Sequence, residues 1–212
     1  MRYYIETDGR VFLVERDGLL DLPEPEEVPF PIDRIAPLAG GSDVWFCTPR
    51  LDRHPTQWPS KDVLAESAAT PAAVAAVHAT MPRVVVEGVC RRGDRILLVK
   101  GNRGLTDGLW TLPGGFLRFA ETPEEGVLRE IREEVGLQGS IVGTPHIHAK
   151  LGANTRLHWI MILFPVAVDG TPTPNPDEIA EACFVDVETA MQRLDATLGN
   201  AVRAVIEAAA TS

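Results

Sequence analysis

Positive charge is scarce in this chain, tyrosine scarcer still, and paired cysteines are missing. Lysine and arginine number 20 against 30 aspartates and glutamates, a formal net charge of −10. That balance disfavours a surface built to hold nucleic acid or anionic lipid, while leaving room for a local basic pocket. The three cysteines, Cys47, Cys90 and Cys183, stand far apart with no CxxC spacing. Neither a disulfide framework nor a zinc ribbon is supported, and all three read as buried free thiols. No apolar run approaches the ~18 residues of a membrane helix. "MRYYIETDGR" also lacks the basic-then-apolar pattern of a signal peptide. The expected setting is a soluble protein of the cytoplasm without membrane or nucleic-acid partners.

What is present is ordinary globular composition, 45% hydrophobic and 24% charged, over 212 residues. That length suits one main domain and an extra segment. "RYYIET" and "RVFLVER" alternate and are joined through Asp8-Gly9, a strong hairpin signal. The proline-rich stretch after them excludes regular helix and central strand. "SDVWFCTP" reads as one more strand, and Thr70-Pro71 caps a helix that Pro82 closes. The boundary falls near residues 80–82, giving a smaller β-rich α+β domain over residues 1–80 and a main domain over 83–212. In the latter, "RVVVEGVCRR" and "RILLVKGN" form a second hairpin of a central sheet. Further strands are expected at "GLWTLPGG", "SIVGTPHIHAKL", "LHWIMILFPVAV" and "ACFVDV", with a closing helix at "GNAVRAVIEAAA". Strands alternating with helices predict an α/β layered fold.

The helix at 123–135 is the most fully specified element. Thr122 is its N-cap, Pro123 its first residue, and Glu125 completes a capping box. Val127, Leu128, Ile131 and Val135 form an apolar stripe, and Gly136 ends the helix. Six glutamates crowd into the eighteen residues from Ala120 to Leu137, and Glu130, Glu133 and Glu134 project from one turn. On an exposed face such like-charge pairs cost only ~0.2–0.5 kcal/mol each. In a pocket, at an effective dielectric of about 20 and roughly 5 Å, the repulsion rises to ~3 kcal/mol per pair. A cation becomes necessary there.

The surroundings of the cluster decide between the two settings. Gly115, five residues, Glu121, seven residues, then Arg129-Glu130-Ile131-Arg132-Glu133-Glu134-Val135-Gly136-Leu137 resembles, without a mismatch, the signature of the Nudix hydrolases. Such a coincidence has a probability on the order of 10⁻⁷ at ordinary residue frequencies. The resemblance covers roughly residues 83–210. It implies an α/β/α sandwich on a mixed sheet and Mg²⁺-dependent (or Mn²⁺-dependent) hydrolysis of a nucleoside diphosphate linked to another group. It further implies that Glu130, Glu133, Glu134 and the Gly114 carbonyl ligate divalent cations. Arg129 would pair with Glu121, and Gly115, Glu121 and Gly136 would shape the motif. The chemistry suits these residue types: a diphosphate attacked by water needs its charge cancelled and a base placed nearby, with Glu130 the first choice as base. By the same resemblance Glu178, in "TPTPNPDEIAEACF", would be a second base or metal ligand, with Glu181 in reserve.

Substrate contacts carry weaker signals. Lys100, Arg103 and Arg118 are phosphate candidates within a basic stretch from Arg83 to Arg118. Trp110 and Phe116 flank the Pro113-Gly114-Gly115 turn and offer rings for stacking. His146 and His148 share a strand face without a third ligand, which disfavours metal binding. ADP-ribose or a reduced nicotinamide dinucleotide is the expected substrate type, although Ala153 stands where many ADP-ribose enzymes carry proline. The alternatives are nucleoside triphosphate clean-up and a non-catalytic nucleotide sensor. For residues 1–80 the roles left open are a homodimer contact through Tyr3, Tyr4, Phe12, Trp45 and Phe46 or a part in shaping the substrate site, against the commoner reading of such aromatics as simple core.

Overall fold

The structure is a computed structural model that describes residues 1–38, 43–53, 55–64, 68–152 and 156–210. Ala153 lies outside the described residues. The chain divides into two compact units, Met1–Pro82 with Leu151–His158, and Arg83–Lys150 with Trp159–Ser212. No helix among the described residues is long and apolar enough to cross a membrane.

The first unit begins with β1 (Arg2–Thr7) and β2 (Arg10–Phe12), an antiparallel hairpin. Asp8 and Gly9 both take positive φ, 48° and 70°, the turn geometry whose twist suits paired strands. "RVFLVER" is not one strand: it breaks after Phe12, and β3 (Val14–Arg16) folds onto β4 (Leu19–Asp21). The cause is a second Asp-Gly pair, Asp17 and Gly18, again at positive φ (51° and 77°). β5 (Ile32–Pro37) and β6 (Val44–Pro49) complete a sheet of order β2-β1-β6-β5, with β1 and β6 parallel. The proline-bearing β5 lies at the edge, where a missing donor costs least. Helix α1 (Pro71–Thr80) starts where the Thr70 side chain accepts the Ala73 N–H. It contributes Ala73, Ala76 and Val77 to a core with Tyr4, Val11 and Leu22.

The five aromatics weighed between core and dimer contact pack in or against this unit's own cores. Tyr4 is fully buried, Phe46 packs against the same cluster, and Phe12 and Trp45 pack around Tyr3 and Trp58. Tyr3 and Tyr4, adjacent on β1, face opposite sides of the sheet and each joins its own core, while Phe12, Trp45 and Phe46 are half-buried.

The second unit is built on β7 (Arg83–Arg92), β8 (Arg95–Gly101), β9 (Trp110–Thr111) and β10 (Gly114–Phe116). Helix α2 (Pro123–Val135) follows, then β11 (Gly139–Ile141), β12 (His146–Leu151), β13 (His158–Val168) and β14 (Ile179–Asp186). Helices α3 (Val187–Arg193) and α4 (Ala196–Ala210) close the chain. The stretch expected as one strand at "SIVGTPHIHAKL" is thus two, β11 and β12. Cys183, expected to be buried, is half-buried.

The sheet runs β11-β13-β7-β8-β14, with β12 on β13, β10 on β7 and β9 on β8. It is mixed, because β13 runs parallel to β7 while β8 and β10 run antiparallel to it. β7 and β8 pair only over Arg91↔Ile96 and Arg92↔Arg95. Beyond that β7 takes β10 and β8 takes β9, so the sheet forks, and the Pro113-Gly114-Gly115 segment sits at the fork. Alternation along β7 sends Val86 and Cys90 towards α2, where they meet Val127, Ile131 and Val135. Val85 and Val89 face the other way, against Ala190, Leu198 and Val202 of α3 and α4. The unit is an α/β/α sandwich.

Helix α2 is held by this burial more than by its charged face. Ile131 is fully buried, so Ile131→Ala is expected to cost about 2–5 kcal/mol of stability. Glu124→Ala, on the exposed side of the same helix, is expected to stay within about 0.5 kcal/mol. Urea unfolding of both variants checks the contrast.

Candidate active site

The ends of α2 set where its acids stand. At its start Thr122 and Glu125 exchange the two hydrogen bonds of a capping box. At its end Gly136 takes φ 67° and its N–H reaches the Arg132 carbonyl. The following loop is laced to the last turn: Thr173 N–H donates to Val135 O and Asn175 N–H to Glu134 O, both at 2.8 Å. The three alternate prolines, Pro172, Pro174 and Pro176, keep this loop extended towards Glu178.

At the other side of the helix, the fork allows only glycine. A Cβ on Gly114 would sit 2.2 Å from the Val86 carbonyl oxygen. One on Gly115 would sit 2.6 Å from a Glu130 carboxylate oxygen. Both distances are well inside contact, so the double glycine lets backbone approach the helix acids directly.

Arg129 is the hub. Its Nε and Nη2 donate to the two oxygens of Glu121 at 2.6 and 2.9 Å, a two-pronged pair. Nη2 also reaches the Phe116 carbonyl at 3.1 Å, while Nη1 reaches Glu130 at 2.6 Å and Glu133 at 3.1 Å. The guanidinium is buried, and its bonds to Glu121 raise its pKa despite that burial. In return the Arg129 bonds, aided by the Arg118 N–H, pull the Glu121 carboxyl down from 4.5 to about 2. The loop from Phe116 to Thr122 is thereby tied to the helix, bending at Ala120, a non-glycine residue at φ 62°.

The three helix acids stand in different surroundings. Glu134 is buried and accepts the Gly114 N–H at 3.0 Å. Burial pushes its carboxyl up to about 8, with the charges of Glu130, Glu178 and Glu87 adding to the effect. Glu130 is half-buried, and burial raises its pKa against the pull of Arg129. Glu133 is the open one, held by Arg118 Nη2 at 3.1 and 3.0 Å as well as by Arg129. Glu178 pairs with Arg103, and its charge acts on both Glu130 and Glu134.

The remaining candidates divide. Arg118 and Arg103 adjoin the acids, each paired with one of them. Lys100 pairs with Glu181 at 3.1 Å, across β8 and β14. Trp110 packs against the core beneath α3 and α4, with Arg193 over its ring at 4.7 Å. Phe116 is half in solvent, its ring centroid 5.8 Å from that of Trp159. His146 and His148 alternate inward along β12 with Lys150, leaving Ile147, Ala149 and Leu151 outward-facing. A residue the sequence reading passed over is Glu87, a buried acid in the middle of β7 that burial pushes up to about 7. A lone glutamate inside "RVVVEGVC" was the available signal.

Among the described residues no three carboxylates, imidazoles or thiols converge as a ready-made metal shell. Glu133 is turned towards Arg118 and Arg129, and Glu134 towards the Gly114 N–H. In kind, however, the donors fit a hard divalent cation. Glu121, Glu130, Glu133 and Glu178 meet the guanidiniums of Arg103, Arg118 and Arg129, and Glu134 stands among them with the Gly114 N–H as its partner. With all five carboxylates ionised, two negative charges are left over, which one such cation balances. Carboxylate oxygens are also the ligands that Mg²⁺ and Mn²⁺ prefer.

The Glu121–Arg129 pair gives a pH signature. The Glu121 carboxyl is depressed from 4.5 to about 2, so its stabilisation is complete above about pH 4.5 and is lost as pH falls towards 2. Glu121→Gln is expected to lower Tm at neutral pH and to flatten the fall in Tm between those two pH values. Thermal melts of both proteins across that range test it.

This stretch of the chain is similar to known proteins. The NUDIX domain family model matches residues 80–206. An ADP-ribose pyrophosphatase of Methanocaldococcus jannaschii is 36% identical over 106 residues, half of this chain and 63% of that protein. An 8-oxo-dGTP diphosphatase of Proteus vulgaris is 53% identical over 30 residues, 14% of this chain and 27% of that protein. The chain thus spans less than two thirds of the length of these curated relatives. The crystal structure of a MutT NUDIX hydrolase from Burkholderia pseudomallei matches with a TM-score of 0.50 at 29% identity. The match covers 60% of this chain and 98% of that one. Through residues 80–206, which carry the Arg129 hub and its acids, the chain belongs to the Nudix family.

Proposed function

We propose that the chain hydrolyses the diphosphate of a nucleoside diphosphate joined to a second group, with ADP-ribose or a reduced nicotinamide dinucleotide as the representative substrate. The observation that carries this reading is the excess of carboxylates over guanidiniums around α2. The similarity to an ADP-ribose pyrophosphatase supports the substrate type. The short similarity to an 8-oxo-dGTP diphosphatase favours a second reading, hydrolysis of nucleoside triphosphates.

In the proposed reaction water adds to one phosphorus, the bridging P–O bond breaks, and two phosphate monoesters leave. Mg²⁺ or Mn²⁺ held by Glu130, Glu133, Glu134 and the Gly114 carbonyl would supply charge cancellation and acidify water. Where Glu130 is left off the metal it takes the proton of the attacking water, burial having raised its pKa above the ordinary carboxylate range. Glu178 stands beside it as a second carboxylate, its charge acting on Glu130. Arg129 keeps the loop and the helix acids in place through its bonds to Glu121 and Phe116 O. Arg103 and Arg118 exchange their carboxylate partners for phosphate oxygens, and Lys100 lies further along β8 as a third cation. The cytoplasm is the setting that goes with such a substrate. Residues 1–80 would supply a homodimer contact or shape the substrate site.

The test is a panel of nucleotide diphosphates and triphosphates with Mg²⁺ or Mn²⁺, read as phosphate released by an added phosphatase. Chelation is expected to abolish turnover. Glu134→Gln is expected to lower kcat at least about 100-fold without loss of fold. Equal turnover by this variant and the wild type on every active compound would overturn the site assignment.

A further inference from the structure

Every main-chain N–H from Thr173 to Ile179 has an acceptor. Thr173 and Asn175 donate to Val135 O and Glu134 O at the end of α2, Glu178 and Ile179 donate to Asn175 O, and Asp177 donates to Asn175 Oδ1. Pro174 and Pro176 have no N–H to place. Two carbonyls of the same segment are taken by one residue of the second unit, Asn102. Its N–H reaches Glu178 O at 3.0 Å, and its side-chain Nδ2 donates to Pro176 O.

The end of β8 puts Asn102 there. Gly101 pairs with Ile179, and the ladder between β8 and β14 slips by one residue directly after that pair. The Gly101 N–H donates to Leu109 O, and Gly101 O accepts the Gly108 N–H. A Cβ on Gly101 would sit 2.5 Å from the Thr106 carbonyl oxygen, so the strand passes into the following loop at a point where glycine is required. Asparagine has the shortest side chain that carries an N–H₂ donor. Aspartate, of the same shape, would turn oxygen towards the Pro176 carbonyl.

Arg103, the next residue, pairs with the Glu178 carboxylate itself. In the proposed reaction it exchanges that carboxylate for a phosphate oxygen, so the Glu178 side chain loses its guanidinium as the substrate arrives. Asn102 binds main chain and is uncharged, which gives a phosphate nothing to draw away. We propose that Asn102 is the positioning residue for Glu178, clamping the backbone before and after that side chain to β8 so that the carboxylate keeps its place once Arg103 has turned to the substrate. The inference deepens the diphosphate reading and rests on it for the role of Glu178.

Asn102 is exposed, so Asn102→Ala is expected to leave the fold intact. Amide hydrogen exchange of the intact chain, read on peptides covering residues 173–179, is expected to quicken about 3- to 10-fold in this variant, as the loss of one hydrogen bond allows, while peptides from α2 stay unchanged. With Mg²⁺ and ADP-ribose, or the most active compound of the nucleotide panel, the variant is expected to lower kcat about 3- to 10-fold and to leave KM within about 2-fold. In a Glu178→Gln background the same substitution is expected to change kcat less than about 2-fold, because no carboxylate is left to position. Equal fractional losses in the two backgrounds would overturn the proposal, since a merely structural bond acts whether or not residue 178 carries a carboxylate. Unchanged exchange over residues 173–179 would overturn it as well. Faster exchange in a chain that hydrolyses no diphosphate would sustain the hold of Asn102 on this segment and overturn the proposed reaction instead.

Discussion

The second unit's chemistry depends on one guanidinium. Arg129 is buried, and a buried cation is tolerable only when its donors are matched. Glu121 takes two of them, the Phe116 carbonyl a third, and Glu130 and Glu133 the rest. The same contacts therefore do two jobs. They anchor the loop from Phe116 to Thr122 to the helix, and they hold two of the crowded acids at fixed positions. Glu134, which Arg129 does not touch, has the Gly114 N–H instead, and its burial is expressed as a raised pKa.

The sheet fork is the complementary constraint. Because β7 and β8 separate after a short run of pairing, β9 and β10 fit between them, and Gly114 and Gly115 come against α2. A Cβ on Gly114 would sit 2.2 Å from the β7 backbone and one on Gly115 2.6 Å from the Glu130 carboxylate, so glycine keeps both the strand pairing and the approach to α2 clear. One strand, β7, then serves both faces: Val86 and Cys90 anchor α2, while Val85, Glu87 and Val89 look towards α3 and α4.

Much of this was legible in the sequence where local signals agree. Helix α2 runs from Pro123 to Val135 as its cap, stripe and terminal glycine indicate. The Asp8-Gly9 hairpin and the Thr70-capped helix are equally local. The split of "RVFLVER" was encoded in the same way, by Asp17-Gly18, but continuous alternation through Leu13 masks it. Helix α3 is seven residues long, too short for periodicity to register. The depth of Glu87 and the ion pairs of Arg103 and Arg118 are set by residues from 15 to 75 or more positions away. No local pattern carries that information. Likewise the aromatics of residues 1–80 could not be sorted into core or surface until the pairing of β1 with β6 gave them an inside.

The lacing of Thr173 and Asn175 to the last turn of α2 has an entropic consequence. A free loop of that length would have to be stilled each time a ligand arrived, at about 1–2 kcal/mol per residue fixed. Here three prolines and two main-chain bonds have already stilled it when the polypeptide folds. The position of Glu178 is therefore set when the chain folds, and the entropy of fixing it is lost there once.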